Sequence, residues 1–312
     1  MAVTAAMVKD LREKSGAGMV DCKNALVASD GDMDKAIDFL REKGLTAAAK
    51  KSGRLASEGL VYTYIDGANE RGVIAEVNSE TDFVAKNSDF RAFVEAVAHQ
   101  AADSDAADVN ALLEESWAAD TSVSVKDALI QKISVFGENL SIRRFERFVK
   151  AQPGMIVSYI HGGGRVAVLL ELACEKVGDA LLEAGKNVCM QIAAMSPKFV
   201  AASDISEEFM QKEREILMAQ VKNDEKNANK PEAIIARMIE GRLNKEMTDF
   251  CLLEQEYVKD SETNVAGYLK SVGKELGADV AVKRFVRYET GEGLEKKVEN
   301  FAEEVSKAMK IE

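Results

Sequence analysis

Histidine is nearly missing from this chain: His99 and His161 are the two among 312 residues. That thins out zinc sites and Ser–His or Cys–His chemistry before any geometry is considered. Cys22, Cys174, Cys189 and Cys251 include no Cys-x-x-Cys pair, which points to buried thiols in a reducing compartment rather than to disulfides or zinc. Aromatic residues make up 6%, with Trp117 the single tryptophan, so an aromatic ligand cage is not expected. The longest apolar run, Val166 to Leu170, is far too short to span a bilayer. The N-terminus has neither the basic start and apolar core of a signal peptide nor an arginine-rich transit sequence, so the expected location is cytoplasmic.

Nucleotide-binding loops are lacking as well. Gly16-Ala17-Gly18 and Gly291-Glu292-Gly293 are fragments of such motifs and read as turns. His161-Gly162-Gly163-Gly164 looks like an esterase oxyanion loop, but without a Gly-x-Ser-x-Gly elbow it reads as a hairpin turn. No cofactor and no metal is expected, and an enzyme built on His161, Asp82 or a cysteine is disfavoured. Positive charge is also in deficit, with 41 Lys and Arg against 53 Asp and Glu and a net charge of −12. Phosphate backbones reward a basic face, so no direct nucleic-acid contact is expected. An acidic surface suits a basic patch on a protein partner.

What is present is organised α+β. Three short helices fill residues 1–45: Thr4 caps the first, Gly16-Ala17-Gly18-Met19 breaks the chain, Asp32 caps the third and Gly44 is expected to end it. A linker follows over 46–59, its first half helical in composition. A mixed unit spans 60–150, with a hairpin (Val61–Ile65, Val73–Val77), helices at about 89–102, 108–116 and 124–136, and a closing strand, Leu140–Phe148. The plan then repeats over 151–290. Tyr64-Ile65-Asp66-Gly67 matches Tyr159-Ile160-His161-Gly162 at an offset of 95, and Ile142-Arg143-Arg144-Phe145 matches Val282-Lys283-Arg284-Phe285 at 140. The offset of 95 also sets Val97-Ala98 over Ile192-Ala193. The change of offset implies an insertion of 45 residues in the second unit. It reads as an antiparallel helical hairpin, about 200–245, in which Ile234, Ile235, Met238 and Ile239 face Phe209, Ile216, Leu217 and Val221. Residues 291–312 form a glycine hinge and a final helix striped by Leu294, Val298, Phe301, Val305 and Met309.

Between the strand at 73–77 and a helix capped at Ser88 lies Thr81-Asp82-Phe83-Val84-Ala85-Lys86-Asn87. This is either a cap with a core phenylalanine or a wedge aimed at a partner. Adding 95 lands on Lys176-Val177-Gly178-Asp179, so the sister unit has glycine where Phe83 stands, which favours the wedge.

That segment, with Gly16-Ala17-Gly18-Met19, Asp21-Cys22-Lys23, Gly137-Glu138-Asn139, His161-Gly162, Glu240-Gly241-Arg242 and Gly291–Lys296, resembles the bacterial translation elongation factor Ts family over essentially the whole chain. The resemblance implies a guanine-nucleotide exchange factor that binds elongation factor Tu, GDP-bound or nucleotide-free. It implies a ubiquitin-associated-like (UBA-like) N-terminal module, a two-part core, a coiled-coil arm and a C-terminal helical module. A homodimer through the arm and the second core unit is the matching expectation. Thr81, Asp82, Phe83 and Val84 would then disturb the partner's Mg²⁺ and phosphate site. Arg12, Met19 and Lys23 match contact positions, Val20 stands where a methionine is common, Gly137 and His161 match core contacts, and Phe136 replaces a smaller aliphatic residue. The rival reading is a non-catalytic dimeric scaffold carrying the same N-terminal module.

Overall fold

Two three-stranded antiparallel sheets, packed face to face, account for most of the core. In the computed structural model, which describes residues 3–223 and 231–295, the first sheet pairs β1 (Glu58–Ile65) with β2 (Arg71–Ser79) and β2 with β5 (Ser141–Val149). The second pairs β6 (Gly154–His161) with β7 (Val166–Ala173) and β7 with β10 (Ala281–Glu289). Period-two alternation divides each strand between two layers. Val73, Ala75 and Val77 of β2 face α5 (Ser88–Asp103), whereas Ile74 joins Val61, Phe148, Ile156 and Leu169 between the sheets. The outer face of the second sheet is covered in the same way by α8 (Asp179–Met195) and α11 (Val265–Leu276). Central strands covered on both faces become continuous apolar runs, which is why β2 and β7 are buried almost end to end.

The duplication is visible as symmetry. The Val61 N–H donates to the Gly164 carbonyl, and the Ile156 N–H, 95 residues on, donates to the Asn69 carbonyl, 95 residues back from Gly164. Between them the Thr63 hydroxyl donates to Ser158 Oγ at 3.1 Å, again a pair 95 apart. A local two-fold therefore passes through Thr63 and Ser158.

The helices follow a different offset. Gln100 accepts from the Ala118 N–H and donates to the Ser116 carbonyl; Gln191 accepts from the Val258 N–H and donates to the Glu256 carbonyl. These glutamines are 91 apart and their partners 140 apart. The expected match of Val97-Ala98 with Ile192-Ala193 is therefore displaced by one helical turn, and Val97 and Ala98 correspond to Val188 and Cys189. The inserted arm is 49 residues, not 45. Four residues were miscounted because an alanine-rich helix looks alike when slid by a turn.

Those four residues are an insertion in the first half. From β2 to α5 the chain takes eight residues, Glu80–Asn87; the equivalent stretch before α8 takes four, Glu175–Gly178. The surplus folds as a one-turn helix, α4 (Asp82–Lys86). Phe83 has no counterpart, and the glycine paired with it at an offset of 95 belongs to a shorter connection.

The N-terminal helices are α1 (Ala5–Ser15), α2 (Met19–Ala28) and α3 (Met33–Lys51). Thr4 and Asp32 cap as expected, and Leu11, Cys22, Leu26 and Ala36 form their small core. Gly44 does not end α3. It is buried in the middle of the helix, where its α-carbon faces α7 (Val125–Phe136), and the helix continues to Lys51. A Cβ there would lie 3.6 Å from Ile130 Cγ2, an ordinary contact. Gly44→Ala is therefore expected to raise the melting temperature, because mid-helix glycine costs about 0.5–1 kcal/mol relative to alanine. A C-cap glycine in the left-handed region would show the opposite sign.

The inserted arm pairs α9 (Glu207–Asn223) with α10 (Glu232–Phe250). Phe209 meets Phe250 and Arg214 meets Glu240, so the helices run antiparallel, with Leu217, Val221, Ile239, Leu243 and Met247 buried between them. Ile216 and Ile234, expected to face inward, are exposed, since each precedes a buried-stripe residue and lies about 100° around the helix from it. Two short hairpins, β3–β4 (Ser116–Trp117, Asp120–Ser124) and β8–β9 (Glu256–Tyr257, Asp260–Asn264), carry no sequence signal, because β3 and β8 are too short to alternate and the five-residue β4 and β9 are almost wholly polar. The remaining helix, α6 (Val109–Glu114), is capped by Asp108. The expected final helix beyond residue 295 lies outside the described residues. Among the described residues no helix is long and apolar enough to cross a membrane.

Candidate functional site

The insertion α4 is short for a helix, and its surroundings hold it. Thr81 caps it, the hydroxyl accepting from the Val84 N–H at 3.4 Å, and Ser79 Oγ donates to the Thr81 carbonyl at 2.9 Å. Within the single turn, Ala85 is buried and Val84 packs on the core beneath α5. Phe83 points the other way and is 81% exposed. A phenylalanine left in water at the tip of a capped turn has its apolar face unspent in the fold. The Asp82 carboxylate pairs with Lys86 Nζ at 2.5 Å, and that hydrogen bond holds its pKa below the ordinary aspartate value. The next helix begins one residue earlier than expected: Asn87, not Ser88, is the cap, accepting from the Asp89 and Phe90 N–H groups.

A second segment clasps the turn. Helix α7 ends at Gly137, in the left-handed conformation (φ 73°), so the chain turns back at once through Glu138 and Asn139. Glu138 Oε2 accepts from the Glu80 N–H at 3.1 Å and the Thr81 N–H at 3.0 Å, while Oε1 accepts from the Thr81 hydroxyl at 2.6 Å. Glu80 answers: its carboxylate accepts from the Asn139 N–H at 2.6 Å. Phe136, half-buried, meets Phe90 edge-on with centroids 6.0 Å apart. The structure thus joins Thr81–Val84 to Phe136 and Gly137. Sequence reading quoted Glu138 within a motif but gave it no role. An acidic residue directly after a C-cap glycine was the available signal.

The other expected contact residues stand on separate elements. Arg12 is exposed on α1; Met19 and Lys23 are exposed on α2, where Val20 is 71% exposed. The N-terminal helices dock on α7 through α1 and α3: the Gln131 side-chain amide donates to the Ser15 carbonyl at 2.7 Å, and Arg41 of α3 reaches Asp127 at 3.7 Å. His161 is exposed at the end of β6, with Nδ1 3.0 Å from the Tyr159 hydroxyl. The turn after it, Gly162–Gly164, has three positive φ values, as its hairpin reading required, and its Gly163 carbonyl accepts from Arg91. All four cysteines are buried, and burial pushes the Cys189 thiol well above its ordinary pKa. Among the described residues no group of three or more His, Cys, Asp or Glu side chains is arranged to hold a metal ion. The arrangement offers an exposed, braced apolar tip.

A family model described as "Elongation factor TS" matches residues 80–292. Proteins named elongation factor Ts are similar along the whole length. That of Clostridium novyi (strain NT) is 50% identical over 307 residues, covering 98% of this chain and 99% of its own. That of Clostridium kluyveri (strain NBRC 12016) is 50% identical over 305 residues, 98% of each chain. The protein of Clostridium tetani (strain Massachusetts / E88) is 49% identical over 307 residues, 98% of this chain and 99% of its own.

Proposed function

Because this chain belongs to the elongation factor Ts family, and so to the elongation stage of protein synthesis, we propose that it is the guanine-nucleotide exchange factor of elongation factor Tu. It binds the GDP form, disturbs the Mg²⁺ and phosphate site, and releases GDP, with no covalent bond made or broken. The observation that carries this reading is the exposure of Phe83 on a turn braced from two sides. Thr81 and Val84 set the turn; Asp82 and Phe83 enter the partner.

The energetics are those of linkage. A factor that weakens GDP binding is itself bound less tightly by the GDP form, by the same ratio. Each decade costs about 1.4 kcal/mol of differential binding. A buried phenylalanine supplies roughly 1.5–3 kcal/mol. Magnesium is a large local charge tied to the phosphates, so displacing its ligands adds more. Anchoring contacts must hold the wedge there. We assign them to Arg12, Met19, Val20 and Lys23 on a UBA-like module (1–45), to Phe136 and Gly137 in the core unit 60–150, and to His161 in the core unit 151–290. The α9–α10 arm is read as a coiled coil through which, with the second core unit, two copies dimerise. Residues 46–59 link the first module to the core, and 291–312 form a further module. The workplace is the cytoplasm, where elongation takes place.

The test is the release of fluorescent GDP from elongation factor Tu in stopped flow, with and without this protein. A release rate that rises with its concentration to a plateau is expected. An unchanged rate would leave the scaffold reading.

A further inference from the structure

We propose that Glu138 is the positioning residue of the exchange wedge: its carboxylate fixes the direction in which the Asp82–Phe83 turn points, without itself meeting the partner's nucleotide site. The proposal rests on the exchange reading above. Its ground is the three donors gathered on one carboxylate. The Glu80 and Thr81 N–H groups lie at the start of α4, where no preceding turn supplies acceptors, and the Thr81 hydroxyl is itself the cap. A five-residue helix does not stand alone, so the orientation of Phe83 is whatever its flanking contacts impose. Carboxylate acceptors give the stronger class of hydrogen bond, and two oxygens engaged on three donors leave the turn little freedom to tilt.

The second half of the molecule supplies an internal control. Gly137 and Gly277 are equivalent, both left-handed C-caps of matching helices. The residue after Gly277 is Ala278, where the first half has Glu138. The second half also lacks the four-residue insertion that makes α4. The half with the turn has the carboxylate, and the half without the turn has a methyl. A merely structural role in the α7–β5 connection would be needed in both halves.

Geometry also says where the clasp is rooted. Glu138 follows α7, and α7 is the helix on which the N-terminal helices dock through Gln131 and Asp127. The segment after α3 reaches the same place, with Arg54 3.5 Å from the Glu80 carboxylate and its carbonyl accepting from the Asn139 side-chain amide at 2.8 Å.

The test uses the full chain with Glu138→Ala and Glu138→Gln. A glutamine can still accept both N–H groups on its amide oxygen, and its NH₂ can donate to a Thr81 hydroxyl that reverses its role. The alanine variant is therefore expected to lower the plateau rate of GDP release about tenfold, the equivalent of one hydrogen bond to a charged group, while the concentration giving half the plateau moves less than about threefold. The glutamine variant should stay within about threefold of the parent on both. In a Phe83→Ala background, Glu138→Ala should lower the plateau by less than it does alone, since only the Asp82 part of the turn is then left for it to position. Amide exchange of Glu80 and Thr81, read by NMR on the free protein, should quicken about tenfold in the alanine variant alone.

A plateau unchanged in Glu138→Ala overturns the proposal. So does a glutamine variant as impaired as alanine, because the hydrogen bonds it keeps would then not be what positions the turn. If the parent protein gives no stimulation, the exchange reading falls, and the clasp is judged on amide exchange alone. Protection lost with alanine and kept with glutamine upholds it there, and equal protection in all three overturns it.

Discussion

Phe83→Ala is expected to lower the stimulated rate of GDP release from elongation factor Tu by roughly tenfold to a hundredfold, and to leave the melting temperature where it was. The two halves of this expectation come from one fact, the 81% exposure of the ring. An exposed side chain takes almost no part in the fold, and surface substitutions away from caps and cores stay within about 0.5 kcal/mol. Thr81, which caps the turn, and Ala85, which buries it, are untouched by the change. In the complex the same ring is worth roughly 1.5–3 kcal/mol if it leaves water fully, which converts to the stated range of rates. The split matters for interpretation. A ring used only for affinity would shift the half-saturating concentration and spare the plateau; a wedge that acts on the GDP-bound state lowers the plateau itself. Stopped-flow release at saturating concentrations of parent and variant, with thermal melts of both, checks the two halves together. Stimulation undiminished at saturation would remove Phe83 from the mechanism.

How far this site could be read in advance depends on which interactions are local. Thr4 and Asp32 announce themselves as caps because a cap needs only the next three residues, and the strand at 73–77 because an apolar run marks a core covered on both faces. Gly44 was misread because a glycine that lets two helices approach and a glycine that ends a helix look alike until α7 is in place. The offset of the helices is hidden in the same way, since the contacts of Gln100 and Gln191 and the starts of α5 and α8 are what tell 91 from 95. Phe83 is thus not a divergent residue in a shared loop but part of a turn that the second half lacks. Glu138 stayed hidden because its partners are 57 and 58 residues away, and nothing in the sequence near it records them.

The same long-range hiding applies to Glu76, whose loss is expected to be the most damaging to stability among the changes considered. It sits in β2 with its carboxylate fully buried. Oε1 accepts from Arg143 at 3.0 Å, from the Asn78 amide at 3.1 Å and from the Gly291 N–H at 2.8 Å, and Oε2 accepts from Arg144 Nε at 2.6 Å. The chain after β10 is therefore pinned to the first sheet. Gly291 is forced by that docking, with φ at +71° and space for a Cβ denied by the Ser57 carbonyl. Glu76→Ala removes the buried anion and leaves two guanidinium groups and a backbone donor facing a cavity, with Glu292, 3.3 Å from Arg144, the carboxylate that stays. Breaking a buried pair costs about 3–5 kcal/mol, and the lower end applies because Arg143 and Arg144 are part-exposed and can turn to water. At roughly 2–4 °C per kcal/mol for a chain of this class, the melting temperature should fall by about 6–12 °C. Glu171, its equivalent 95 residues on, meets one arginine, Arg284 at 2.7 Å, so Glu171→Ala should cost about 1.5–3 kcal/mol, the worth of a hydrogen bond to a charged group. Melts of the two variants side by side test the ordering, since the sheets are built alike and differ in what the carboxylate holds. If Glu171→Ala proved the more damaging, Glu76 would not be the pin that secures the 289–293 turn.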